Sequence, residues 1–161
     1  METVLELEIP ARPEYVAIVR LVVSSLAAAR RALVDERLDD LKLAVSEACI
    51  NAMDAHRSAA VDAPVTIRVV EGPERLEVRV DDRGPGFDPD RLSEHPPVTD
   101  PERLNFERGL GIPLIRTLVD EVVFVATDAG TSARLILFGG PSGDTNDMTV
   151  EILRAVLSED D

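Results

Sequence analysis

Apolar and polar positions along this chain change period at regular intervals. Residues 4–9, Val-Leu-Glu-Leu-Glu-Ile, alternate apolar and acidic as a half-buried strand does. Pro10 closes that stretch and Pro13 suits the first turn of a helix, in which Tyr15, Ile18, Val19, Val22, Leu26 and Leu33 recur at helical spacing. Asp39 and Asp40 open a second predicted helix that runs to about Ser58, with Leu41, Ala44, Val45, Ala48 and Ala52 as its apolar stripe. Residues 65–70 and 76–80 alternate again, and Glu71-Gly-Pro-Glu74 between them reads as a hairpin turn. From 84 to about 108 the character changes: Pro85, Pro89, Pro96, Pro97 and Pro101 stand among acidic residues. A loop this long inside a compact domain is usually functional or mobile. Residues 110–119 read as a helix with Pro113 in its first turn, and 121–127 and 132–138 as paired strands turned by Asp128-Ala-Gly130. The order β-α-α-β-β-loop-α-β-β predicts an α+β domain, helices covering one face of a mixed, largely antiparallel sheet. That domain is expected over 1–138. Residues 139–161 read as a polar linker, a short terminal helix and an acidic tail.

Composition narrows the classes. A chain of 161 residues with 45% apolar residues is long enough for one core, and with 3% aromatics and no Trp that core is aliphatic. The formal net charge of −14 speaks against direct nucleic-acid binding, which depends on Lys and Arg, and against an anionic membrane surface. It favours a basic protein partner. Cys49 is the only cysteine, which excludes an intramolecular disulfide, and its apolar helical neighbours make it a small buried hydrophobe. A redox switch would need an accessible, electropositive site. The N-terminus has no basic n-region, and the longest apolar stretch, around 15–29, is interrupted by Arg20 and Ser24-Ser25. A cytoplasmic protein is the expectation.

Three short segments carry the chemistry. Glu47, Asn51 and Asp54 fall at i, i+4 and i+7 on one helix face. Alone, such a face is usually just solvated. In company, an Asn51 amide oxygen can be one of the few protein ligands that a phosphate-bound Mg²⁺ needs, and Glu47 one turn earlier can accept a proton from a nucleophile. Asp82 ends a strand before Gly84-Pro-Gly86. A turn-forming Asp explains it, and so does a carboxylate acceptor for an exocyclic amine, with glycines that let backbone approach a flat ring. Asp81 should point to the opposite strand face, toward solvent. Arg108-Gly-Leu-Gly111 opens a helix, where backbone N–H groups can meet phosphate. No G-x-x-x-x-G-K-[ST] pattern occurs, which disfavours a P-loop enzyme.

This ordered set resembles the N, G1 and G2 boxes of the Bergerat-fold (GHKL, histidine kinase-like) ATPases, which include gyrase and the histidine kinases. Within them the chain from about Val4 to Phe138 looks like the anti-sigma-factor serine kinases, on Ser46-Glu-Ala, Asn51-Ala, Arg108-Gly-Leu-Gly-Ile, Val119-Asp-Glu-Val and the late Gly130-Thr131. The resemblance implies a two-layer α/β sandwich that uses ATP and Mg²⁺. It implies Glu47 as base, Asn51 as metal ligand, Asp82, Gly84 and Gly86 around adenine, and Gly109, Leu110 and Gly111 on phosphates. Arg108 would face the γ-phosphate, and Thr131 would line the pocket. It implies a serine/threonine kinase that phosphorylates an anti-anti-sigma (STAS-domain) partner and sequesters a sigma factor, and relatives of this kind suggest a homodimer. A nucleotide-binding module with little phosphotransfer is the alternative; an isolated histidine-kinase catalytic domain ranks last, because no phosphoacceptor helix pair precedes the N-box. Many relatives place His four residues after the Asn. Here that residue is Ala55, and His56, rotated to another face, receives no role. His95 is read as exposed.

Overall fold

The computed structural model describes residues 1–30, 33–85 and 111–139. Strand β1 (Glu2–Ile9) is followed by a single 3₁₀ turn at Pro13–Tyr15 and helix α1 (Val16–Ala29). Helix α2 (Asp35–Ser58) leads into the hairpin β2 (Val65–Gly72) and β3 (Arg75–Asp82). Helix α3 (Gly111–Leu118) precedes a second hairpin, β4 (Glu121–Thr127) and β5 (Gly130–Phe138). The five strands form one sheet in the order β1-β2-β3-β5-β4. All four pairings are antiparallel, so the expected largely antiparallel sheet is wholly so among the described residues.

Period 2 sorts the sheet into two faces. Ile67, Val69, Val78, Val80, Leu135 and Leu137 point to one side and are fully buried. The α2 stripe of Leu41, Ala44, Val45, Ala48, Cys49, Ala52 and Met53 closes over them, with Val19, Val23 and Ala27 of α1 and Ile115 and Val119 from the α3 region completing the cluster. The core is aliphatic, as composition requires. Cys49 is part of it, and burial pushes its thiol up to about 12, so it is no nucleophile.

Element boundaries differ from the expectation in informative places. α2 begins at Asp35, a turn before Asp39; Asp35 and Glu36 in its first turn suit the positive end of the helix dipole. α1 stops at Ala29, and Leu33 is buried from the connection rather than from a helix. At the turn end β2 runs on by two residues and β3 by one, so that Gly72 pairs with Arg75 and only Pro73 and Glu74 make the turn. α2 ends in a Schellman arrangement: the Val61 N–H bonds to the His56 carbonyl (2.8 Å) and the Ala60 N–H to the Arg57 carbonyl (3.2 Å). Ala60 takes the left-handed position at φ 51°, normally a glycine's place.

Arg37 of α2 fastens the far end of α3. Its guanidinium donates to the Leu118 carbonyl (3.0 Å) and to Asp120 (2.7 Å), and Asp120 in turn accepts from the Phe138 N–H (2.7 Å). Asp120, from the Val119-Asp-Glu-Val segment, thus ties α3 to the sheet.

Candidate functional site

Helical periodicity places Glu47, Asn51 and Ala55 on one stripe of α2, at i, i+4 and i+8. Ala55 is where that stripe meets the β3 end. A Cβ on Gly84 would stand 2.8 Å from the Ala55 Cβ, so the turn sits against the helix only because both residues are minimal. Asn51 and Glu47 continue from this contact by one and two helical turns, about 6 and 12 Å along the axis. Both are half-buried, and neither makes a hydrogen bond or ion pair among the described residues. Asp54, left open by the sequence, pairs instead with Arg57 at i+3, an exposed partner.

Asp82 is buried at the end of β3, on the helix side of the sheet. Its Oδ1 accepts the Gly84 N–H (2.9 Å) and the Thr131 N–H (3.4 Å). No hydrogen bond among the described residues engages Oδ2. Burial pushes the carboxyl above its ordinary range, and the two backbone N–H bonds pull it only part of the way back. Thr131 lies directly opposite Asp82 in the β3–β5 register, and its buried hydroxyl has no hydrogen-bond partner among the described residues. An unsatisfied buried hydroxyl costs about 1–3 kcal/mol. A ligand that hydrogen-bonds beside Asp82 would remove that penalty. Gly130 makes the close approach of the two strands possible: at φ +155°, any Cβ would collide with the Asp82 carbonyl oxygen and the Arg83 Cα.

His56, which the sequence reading passed over, is 1% exposed and touches this same turn. Its Nε2 accepts the Arg83 N–H (2.7 Å), and its Nδ1 faces the Ala63 carbonyl (3.1 Å). A backbone N–H only donates and a carbonyl only accepts. The ring is therefore the neutral Nδ1–H tautomer. Asp81 does turn to the opposite sheet face, but it is half-buried and paired with Arg68 instead of standing in solvent.

A histidine kinase-like ATPase domain model matches residues 9–137 of the chain. The serine-protein kinase RsbW of Bacillus pumilus is 38% identical over 152 residues, 91% of this chain and 93% of that protein. RsbW of Bacillus subtilis is 42% identical over 122 residues, 73% and 75% of the two chains. RsbW of Listeria monocytogenes (strain EGD-e) is 38% identical over 125 residues, 76% and 79%. The chain belongs to the RsbW serine-protein kinases.

Of the candidate residues, Glu47, Asn51, Asp82, Gly84 and Thr131 lie among the described residues. The donor set fits a purine: a buried carboxylate with a free oxygen, an orphan hydroxyl beside it, and a glycine turn packed flat against a helix. Gly86, Arg108, Gly109 and Leu110, the long loop, and the 139–161 segment after Gly139 lie outside the described residues; Gly111 is the first residue of α3. Among the described residues no three His, Cys, Asp or Glu side chains cluster to hold a metal, and a phosphate-bound Mg²⁺ needs no such cluster. Among them also no helix is long and apolar enough to cross a membrane.

A cavity of about 300 Å³ opens at this end of the sheet, walled by Thr66, Arg68, Arg79, Asp81, Ser132 and Arg134 and bordered also by Asp82, Arg83 and Thr131. The first six of these alternate away from the helices, whereas Asp82 and Thr131 stand on the helix side.

Proposed function

We propose that this RsbW kinase holds ATP with its adenine amine on the Asp82 carboxylate and its phosphates toward Asn51 and Glu47, and that it phosphorylates a serine or threonine of an anti-anti-sigma (STAS-domain) partner. The observation that carries this reading is the single α2 stripe. It begins at the Gly84 turn beside a buried carboxylate and continues through two polar side chains that have no partner among the described residues.

Each residue has a chemical task. Asp82 Oδ2 accepts the exocyclic amine, and the Thr131 hydroxyl satisfies a neighbouring ring atom. Gly84 and Gly86 let backbone lie close to the base. The Asn51 amide oxygen would hold Mg²⁺, which supplies charge neutralisation on the phosphates when bound. Glu47 accepts the proton of the attacking hydroxyl. The Gly109-Leu110-Gly111 amides and Arg108 bind and neutralise the phosphoryl oxygens. A sigma factor is the second partner, sequestered when the STAS protein is absent, and the net charge of −14 suits a basic surface on it. The kinase works in the cytoplasm, as a homodimer.

The test separates chemistry from binding. General-base contributions are ~10²–10⁴-fold. Glu47→Gln is expected to bind MgATP nearly as wild type and to lose radiolabel transfer to the STAS partner by about that factor. Full transfer by Glu47→Gln would sink the mechanism. Wild-type protein that binds ATP and labels no STAS partner from its own host would point to a binding module instead.

A further inference from the structure

We infer that His56 is the positioning residue of the adenine site: as a neutral Nδ1–H imidazole it clamps the Asp82–Gly84 turn to the end of α2 and so sets how Asp82 presents its free oxygen. The inference rests on the adenine reading of Asp82 and extends it to a residue outside the recognised boxes.

Two consecutive backbone amides of the turn are held by two side chains. The Arg83 N–H is held by His56 Nε2 at 2.7 Å, and the Gly84 N–H by Asp82 Oδ1 at 2.9 Å. The second bond fixes the Asp82 side chain to the peptide that follows Arg83. If the Arg83 amide were released, that peptide would turn, and Asp82 Oδ1 would turn with it or lose its donor. The direction of Oδ2 therefore depends on His56, though His56 touches no ligand atom itself.

The imidazole is anchored in turn. Its Nδ1–H donates to the Ala63 carbonyl in the connection between α2 and β2, while its own carbonyl accepts the Val61 N–H of the Schellman arrangement. Main chain and side chain of one residue thus join the helix end, the following loop and the β3 turn. Neighbouring positions divide the work: Ala55 leaves the space that Gly84 occupies, and His56 supplies the bond. The imidazole that makes this bond is 1% exposed. Loss of the acceptor leaves the Arg83 N–H unpaired where it can be repaired only by moving the turn.

Three substitutions separate the two ring nitrogens. Gln places an amide oxygen near the Nε2 position, and Asn places an amide nitrogen near the Nδ1 position. Phe fills the space with neither. Calorimetric MgADP titrations and steady-state ATP kinetics are run on wild type, His56→Gln, His56→Asn and His56→Phe. The expected result is an affinity loss of about five- to tenfold for Asn and Phe, the size of one lost hydrogen bond, with Gln within about twofold of wild type. KM for ATP rises by the same factor, and kcat at saturating ATP changes less. Wild-type affinity in all three variants would overturn the inference, as would a Gln variant no better than Asn.

A nucleotide-free readout keeps this separate from the adenine reading. The imidazole ¹⁵N spectrum of wild type is expected to show one neutral ring protonated at Nδ1, with the Arg83 amide slow to exchange; a ring protonated at Nε2 would overturn the clamp. Wild type that shows this ring but binds no MgADP would refute the adenine site and, with it, the positioning role.

Discussion

Two buried carboxylates stand five residues apart on β3 and face opposite sides of the sheet, and they are treated in opposite ways. Glu77 is 1% exposed on the face away from the helices, where Arg75 and Arg79 each bond one of its oxygens at 2.6 Å. Asp82 is 8% exposed on the helix side, and among the described residues only backbone N–H groups reach it, both on the same oxygen. Burial pushes both carboxyls up. At Glu77 the hydrogen bonds and charges of Arg79 and Arg75 outweigh it and hold the group below its ordinary range; at Asp82 burial prevails. A carboxylate that serves the fold has its lone pairs filled and its charge matched. On the proposed reading, the one kept for a ligand is left half-used at the fold's expense.

The largest expected effect is on the structural member of the pair. Removing one partner of a buried ion pair costs about 3–5 kcal/mol. The side chains of Arg75 and Arg79 are 34% and 31% exposed and can rehydrate, so Glu77→Gln belongs at the lower end, about 3 kcal/mol by urea unfolding. The pH dependence has a definite sign. The folded-state value is lowered, so the stabilisation is full above the ordinary glutamate value of about 4.3 and is lost as pH falls through the lowered one. Wild type should lose stability in that acid window, and the Gln variant should lose less. Equal acid profiles would mean that Glu77 is not the paired group described here.

Glu77 also shows where a sequence reading stops. Period 2 put it on the outer face, which argues for solvent, and its burial comes from arginines two residues away on either side that fold over it. The periods themselves were legible. The apolar stripe of α2, the two hairpins and the α+β architecture follow from spacing alone, because burial repeats every 2 or 3.6 residues whatever the tertiary context. Leu33 blurred the gap between α1 and α2 because a buried residue in a connection mimics the next helical position. Glu47, Asn51 and Asp82 stand as candidates on their order and on the glycines that follow. The pairing of Thr131 with Asp82 depends on strand register, and the His56 bond on a contact between residues 27 apart in sequence. Neither leaves a local pattern. A histidine near the end of the N-box helix was the only signal available.

A smaller effect serves as a control on the comparison. Ala60, at φ 51°, carries the left-handed strain of the Schellman end, and a non-glycine residue there costs roughly 1–2 kcal/mol. Glycine relieves it but adds about 0.4–1 kcal/mol of unfolded-chain entropy. Ala60→Gly should therefore raise stability by under about 1 kcal/mol, a melting shift of a few degrees, with MgADP affinity unchanged. A change in affinity would mean that stability alone, and not the chemistry at Asp82, governs the nucleotide site.

The most direct measurement is the pair of effects of Asp82→Asn, melting temperature without nucleotide and MgADP affinity by calorimetry. The raised folded-state value means that Asp82 favours the fold when protonated and loses that contribution as pH rises through it, so its ionised form is a burden to the fold. Asn keeps an oxygen for the Gly84 and Thr131 amides and removes the charge. The variant is predicted to melt higher than wild type at neutral pH, yet to bind MgADP about 10- to 100-fold more weakly, the loss expected when a charged acceptor becomes neutral. A variant that binds as tightly as wild type, or one whose weaker binding comes with a lower melting temperature, would contradict the assignment of Asp82 as a carboxylate held in reserve for adenine.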